Sequence, residues 1–199
     1  LHFVNYFQIL TSKVFMKSRL SVPGPAQLLT VIAGLSLFLT SPQLALGNEG
    51  SLLAPVKTDH PRDTMKSFME AMQDYRRGVV QEDRHLQGRI SDALRTLNLS
   101  EMTPVLADEK GKRAAILLKE VIDRVIVIDY SKIPADPSLD RWRLKGTEIA
   151  ISKVKQGDRV GEFLFTPSTV QLAREFYDKV RHLPYKPGTG QGAAYKRPW

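Results

Sequence analysis

Cysteine is absent from this chain of 199 residues. The absence excludes disulfide bonds, thiolate metal sites and cysteine nucleophiles. The length suits one ordinary domain with additional segments. Hydrophobic residues make up 42% of the chain and charged residues 25%, the balance expected of a folded protein and not of a disordered one.

Acidic residues are absent from the first 48 positions, since all 21 lie at or after Glu49. The charged residues before it are Lys13, Lys17 and Arg19. The chain from residue 48 onward carries 26 basic and 21 acidic residues, a net charge of +5. No run of basic residues there is longer than a pair such as Arg76-Arg77. Nucleic-acid binding needs a clustered positive face, so we expect no nucleic-acid partner.

A predicted export signal near the N-terminus explains why acidic residues are absent from the first 48 positions. "MKSR" at 16–19 is basic, residues 26–40 are apolar, and Gly47 ends a small-x-small motif. This order predicts a signal peptide over 16–47, preceded by an upstream extension over 1–15. The alternative is an uncleaved anchor helix, because the apolar region nearly reaches the roughly 17–20 residues that span a bilayer. Both readings predict that the remaining chain is exported.

Three amphipathic helices are predicted after a linker over 48–58. The first is capped by Thr58 or Asp59, has Pro61 in its first turn, and carries Met65, Phe68, Met69 and Met72 on one face. The methionines raise the alternative of a metal site or a binding groove, but core packing is favoured because Met is a common gap-filler. The apolar positions of the second helix are Ile90, Ala93, Leu94 and Leu97.

The third helix has the clearest pattern and begins near Pro104, with Thr103 as its N-cap. Its apolar positions are Ala114, Leu117, Leu118, Val121, Ile122 and Val125. The opposite face is charged, with Lys112, Arg113, Lys119, Glu120, Asp123 and Arg124. We expect these charges to be solvated.

A β-hairpin and a last helix are predicted next. Ile149 and Ile151 recur at the two-residue spacing of a strand, as do Phe163 and Phe165, and "KQGDR" supplies the turn. A short leading strand containing Trp142 is an option. Thr166 is a natural cap for a helix with the stripe Ala173, Phe176, Tyr177 and Val180. Residues 186–199 have the composition of a flexible linker.

The predicted fold class is therefore mainly α with a β-hairpin (α+β): three helices, a hairpin, a C-terminal helix and a flexible tail. The exported helical domain spans 59–185, enough for a single core.

Catalytic signatures are not found in the sequence. His60, His85 and His182 lie in separate segments without metal-ligand spacing, and no HExxH, GxSxG or P-loop motif occurs. The carboxylate pairs Glu82-Asp83 and Asp108-Glu109 lie in polar stretches that offer no burial to separate their pKa values. We expect no enzymatic activity, no catalytic residues, no metal and no cofactor.

Three phrases of the chain carry a resemblance. They are "HPRDTMKSFMEAM", "LNLSEMTPVLADEKGKRAAILLKEVIDRV" and "WRLKGTEIAISKVKQGDRVGEFLFTPSTVQLAREFYDKVRHLPY". In this order they resemble the exported N-terminal region of bacterial mechanosensitive channels of the small-conductance (MscS-like) family, over residues 59–185. The resemblance implies a location in the periplasm or at the periplasmic face of the inner membrane.

The chain departs from that family in lacking its pore. After the leader no stretch approaches about 18 uninterrupted apolar residues, so this chain cannot form a channel alone. The resemblance implies a non-enzymatic periplasmic domain or fragment of a channel-like membrane protein. Its partners would be the channel's transmembrane part, a cell-envelope component or further copies of itself.

The alternative function is a stand-alone secreted binding or scaffold protein with a cleft between hairpin and helices. Its aromatic contact surface would be Trp142, Phe163, Phe165 and Tyr177. Packing of these four residues in the core between the hairpin and a helix is the competing interpretation.

Overall fold

A computed structural model describes residues 55–196 of the chain. The predicted upstream extension, the signal peptide and most of the linker lie outside these residues, as do positions 197–199. Within 55–196, no helix combines the length and the apolar character required to cross a bilayer.

The first predicted helix is α1, Pro61–Gln81. Its N-cap is His60, whose Nδ1 accepts a hydrogen bond from the backbone N–H of Asp63 at 3.2 Å, so the predicted capping by Thr58 or Asp59 is wrong. The side chains of Met65, Phe68 and Met72 are fully buried. The methionine stripe is therefore part of the core.

The second predicted helix is two short helices, α2 (Arg84–Gly88) and α3 (Ile90–Arg95). Asp83 caps α2 through hydrogen bonds from the backbone N–H groups of His85 and Leu86. The helices α1 and α2 approach closely at Gly78, where an added Cβ would lie 2.5 Å from the backbone nitrogen of Gln87. The packing of α1 against α2 therefore requires a glycine at position 78.

The long helix α4, Pro104–Val125, begins at the predicted Pro104. Its apolar stripe is buried as expected, except for the half-buried Val125. Lys119, Glu120 and Asp123 are buried as well. The expectation that these three charges are solvated is wrong. A C-terminal stretch of the chain covers them, as described below.

The sheet has three antiparallel strands in the order β1-β2-β3. They are β1 (Arg141–Arg143), β2 (Ala150–Lys153) and β3 (Phe163–Phe165). Trp142 pairs with Ile151, which pairs in turn with Phe165. The predicted hairpin, its optional leading strand and the α+β class are confirmed.

The core lies where α1, α4 and the sheet meet. The rings of Phe68 on α1 and Phe165 on β3 pack edge to face, with centroids 4.9 Å apart. Leu97, after α3, forms a parallel bridge with Phe165. The sheet is thereby tied to both the first and the second helical segments.

The last predicted helix is also divided, into α5 (Pro167–Gln171) and α6 (Ala173–Val180), with Leu172 between them. Thr166 caps α5 as predicted, accepting a hydrogen bond from the backbone N–H of Thr169 at 3.2 Å. After α6 the chain turns back and runs along α4.

Candidate functional site

Two ion pairs are buried on one side of α4. Lys119 pairs with Asp123 and Glu120 with Arg124, each one helical turn apart. The side chains of Lys119 and Glu120 are 1% exposed and that of Asp123 is 0% exposed. Charges this deep require partners for their remaining hydrogen-bonding atoms.

Those partners come from the segment 185–196. The Tyr185 hydroxyl donates to Glu120 Oε2 at 2.7 Å, and the backbone N–H of Ala193 donates to Glu120 Oε1 at 2.8 Å. The backbone N–H of Gly192 donates to Asp123 Oδ2 at 2.7 Å. We call this arrangement the α4 clamp: the four α4 residues Lys119, Glu120, Asp123 and Arg124 with Tyr185, Gly192 and Ala193.

The segment 186–196 therefore differs from the predicted flexible tail. Its glycines permit close approach to charged groups: an added Cβ at Gly192 would lie 2.5 Å from Glu120 Oε1, and one at Gly190 would lie 2.9 Å from Lys119 Nζ. Gly192 also has a backbone φ of 74°, a conformation that residues with a side chain rarely adopt. A composition typical of linkers here serves a backbone that must reach two carboxylates.

Arg124 joins the clamp to the rest of the C-terminal segment. Its guanidinium lies 4.0 Å from the ring centroid of Tyr185 and its Nε donates to the carbonyl of Leu183 at 3.1 Å. Beyond the clamp, Tyr195 packs edge to face on Tyr177 of α6, with centroids 5.5 Å apart. The segment is held by charge at its centre and by aromatic contact near Tyr195.

The clamp shifts the pKa values of its members. Burial alone would raise the pKa of Glu120, but hydrogen bonds from Tyr185, Ala193, Arg124 and Tyr195 outweigh it and hold that pKa below its usual value. Burial raises the pKa of Tyr185 to about 12, reinforced by its hydrogen bond to Glu120. Burial lowers the pKa of Lys119 against the attraction of Asp123.

The chemistry of the clamp is structural. Both Glu120 oxygens and one Asp123 oxygen are occupied by donors from the protein, and only Asp123 Oδ1 is a buried side-chain atom without a partner among the described residues. A general base must reach the proton that it abstracts in a bound substrate. These carboxylates are enclosed by the chain's own backbone and do not meet that condition.

An open groove of about 720 Å³ lies between α4, α6 and the β1–β2 loop. Its floor is apolar, formed by Val121, Val125, Ile149, Phe176 and Val180. The cationic side chains of Arg143, Lys145 and Lys179 stand at its rim with one carboxylate, Glu148. The volume falls within the range of roughly 300–1,000 Å³ that is usual for small-molecule sites.

The predicted aromatic contact surface is not assembled at this groove. Phe163 and Phe165 are fully buried on β3, and Tyr177 is 8% exposed beneath Tyr195. Trp142 is half-buried on β1. None of the four lines the groove, whose aromatic residue is Phe176. Phe163 and Phe165 are packed in the core, as the competing interpretation states.

Histidines and acidic side chains form no metal-binding group of three or more within residues 55–196. His60 is used as the α1 cap. Asp83, of the predicted pair Glu82-Asp83, caps α2. Asp108 and Glu109 form exposed ion pairs with Lys112 and Arg113.

The clamp was missed because its two halves lie far apart in sequence. Lys119–Asp123 and Glu120–Arg124 are spaced as i, i+4 ion pairs, which are ordinarily solvated. The signal that could have found them is the clustered glycines of "GTGQG", where a backbone without side chains can approach a buried group.

Comparison of the chain with models of known protein families, with curated proteins and with solved structures finds no match.

Proposed function

We propose that the described part of the chain is a non-catalytic periplasmic domain of a protein like the small-conductance mechanosensitive channels. The observation that carries the proposal is the α4 clamp. It fixes the segment 185–196 to the longest helix of the domain by buried charge-assisted hydrogen bonds. A segment attached in this way can act as a mechanical connection to whatever follows it.

The clamp would transmit force in a defined direction. Tension applied beyond Lys196 would be borne first by Tyr195 against Tyr177, and then by the hydrogen bonds of Gly192 and Ala193 to α4. Since α4 packs on α1 and α6 through the core, the domain would respond as one body. It biases gating only if its contacts differ in free energy between the closed and open states of the channel.

The use of its polar groups supports a role without catalysis. The most deeply buried charges are engaged in holding the segment 185–196. The groove rim displays Arg143, Lys145, Lys179 and Glu148 beside an apolar floor, without a histidine or a paired nucleophile and base. Its composition favours binding over reaction.

The first test reads the gene through the codon for Trp199 for a few hundred bases. An open frame that continues into three or more hydrophobic spans is the expected result. An immediate stop codon would overturn the proposal, because the chain would then have no channel to which it could be connected.

The second test examines the clamp in the full product by patch-clamp recording. Glu120→Gln keeps the shape of the side chain and removes its charge, and should shift the pressure threshold for opening. Glu109→Gln, on the same helix but 77% exposed, is the matched control and should leave the threshold unchanged. A folded Glu120→Gln channel with an unaltered threshold would contradict force transmission through the clamp.

The alternative, a secreted binding or scaffold protein, is favoured by one observation. The groove lies at the junction of the sheet with α4 and α6, although its lining is largely aliphatic and not the predicted aromatic set. A stop codon after Trp199, with retained ligand binding in the groove, is the result expected of this alternative.

A further inference from the structure

We propose that the groove between α4, α6 and the β1–β2 loop binds a single-chain amphiphile with an anionic head, such as a medium-chain carboxylate. The proposal rests on the distribution of apolar and cationic groups around one cavity. It is independent of the α4 clamp, on which the proposed channel function depends.

The floor of the groove suits an acyl chain. Val121 and Ile149 are 3% and 1% exposed, while Val125, Phe176 and Val180 are partly exposed along the opening. All five side chains are aliphatic or aromatic, so a bound alkyl chain would leave no polar atom on the floor unpaired. Covering Val125, Phe176 and Val180 removes apolar surface from water, which favours binding.

The rim selects a negative head group. Lys145 stands in the β1–β2 loop, beside Gly146, and forms no ion pair within residues 55–196. Arg143 Nη1 lies 3.6 Å from Glu148 Oε2, and Lys179 Nζ lies 2.7 Å from Glu175 Oε1. Both pairs are well exposed and therefore weak, so an anionic head group can compete with Glu148 and Glu175 for these cations.

The size of the groove favours a small molecule over a partner helix. An α-helix with its side chains is about 10 Å across, so a space of about 720 Å³ would hold less than two turns of it. The same space lies in the usual range for small ligands. We therefore assign the groove to a free amphiphile and treat a peptide or a membrane surface as outcomes that would overturn the assignment.

Isothermal titration calorimetry of the full chain with decanoate, below its micelle-forming concentration, tests the proposal. Decyltrimethylammonium, with the same chain and the opposite charge, is the matched ligand. Decanoate should bind at least tenfold more tightly. The apolar residues 26–40 are present in every variant, so their contribution cancels when variants are compared with the same ligand.

Two pairs of variants locate the site. Lys145→Glu should weaken decanoate binding about fivefold, since reversal turns a weak attraction into a weak repulsion. Lys110→Glu makes the same change of charge on the exposed surface of α4, outside the groove, and should have no effect. Val180→Asp should abolish binding, whereas Val160→Asp, at a position 60% exposed in the β2–β3 loop, should not.

Methyl NMR of the unmodified chain locates the decanoate site without any variant, so the proposal can be tested even if a variant folds poorly. In the unmodified chain, decanoate should shift the methyl resonances of Val125 and Val180 and spare that of Val160. Several results would each overturn the proposal: equal affinity for the two head groups, an equal loss in Lys110→Glu, or shifts confined to residues outside the groove. Binding of anionic vesicles or an acidic amphipathic peptide at these methyls, without competition from decanoate, would also reject it. The clamp variant Glu120→Gln, if folded, should bind decanoate normally, which separates this outcome from that of the gating experiment.

Discussion

The carboxylate of Glu120 accepts a hydrogen bond from the backbone N–H of Ala193 at 2.8 Å, across 73 positions of sequence. Together with the Tyr185 hydroxyl and the Arg124 guanidinium, that N–H group replaces the water that Glu120 loses on burial. The stability of α4 and the placement of the C-terminal segment are therefore coupled.

Replacement of Glu120 by alanine should reduce the free energy of unfolding by about 3–5 kcal/mol, because it leaves the charge of Arg124 and the backbone N–H groups of Ala193 and Tyr195 without their partner. Urea denaturation followed by far-ultraviolet circular dichroism measures the loss. Glu109→Ala, on the exposed face of α4, should cost less than about 1 kcal/mol. Equal losses in the two variants would show that the clamp contributes nothing.

Acid should weaken the clamp through Glu120. Its pKa in the folded chain lies below the ordinary value of 4.5, so its contribution is present above pH 4.5 and is lost as the pH falls through the folded value. Below pH 4.5 the unfolding free energy of the native chain should therefore fall more steeply than that of Glu120→Gln. Denaturation curves at successive pH values compare the two, and parallel profiles would contradict the assignment.

Alkali should destabilise the fold through two tyrosines. The pKa values of Tyr130 and Tyr185 are raised to about 12, by burial first and by nearby carboxylates second. The folded chain then retains protons that the unfolded chain loses near pH 10, so stability should decline as the pH rises toward 12.

The alkaline measurement is best made above pH 10.5, because the lowered pKa of Lys119 acts in the opposite direction below that value. Tyr130→Phe and Tyr185→Phe should each flatten the decline, and absorbance at 295 nm follows the ionisation itself. A decline that keeps its slope in both variants would exclude these two groups as its cause.

Gly78→Ala should destabilise the domain although alanine is the better helix former. An added Cβ would lie within 3 Å of the backbone of Leu86 and Gln87, so the backbones of α1 and α2 would have to shift apart. Gly88→Ala is the control, since nothing lies within 4 Å of its added Cβ. It should be neutral or stabilising by up to about 1 kcal/mol. Thermal melts of both variants check the contrast, which fails if Gly78→Ala melts at or above the native temperature.

Periodicity identified the parts of the fold that depend on local pattern. Met65, Phe68 and Met72 recur at helical spacing and form the buried face of α1. Phe163 and Phe165 alternate as a strand requires, and Thr166 caps the helix that follows. Local pattern could not show that the predicted helix after Thr166 divides at Leu172, because nothing in its composition marks a break.

The clamp could not be predicted because its residues are buried by a segment that lies far away in the sequence. Lys119 and Asp123 form an i, i+4 pair of the kind that normally faces water. Their burial depends on Gly190 and Gly192, which read locally as a linker. The groove was anticipated between the sheet and the helices, but its lining was not, since the largest aromatics of the sheet were used in the core.

The distance in sequence between the two halves of the clamp also sets the order in which the domain can be completed. A ribosome makes α4 well before it makes Ala193, 73 positions after Glu120. Until then Glu120 and Asp123 have no backbone donors to replace water, so this side of the helix must stay hydrated on the nascent chain. The domain can therefore close its last face only when the C-terminal segment has emerged, and a chain interrupted before Tyr185 would keep α4 open to solvent.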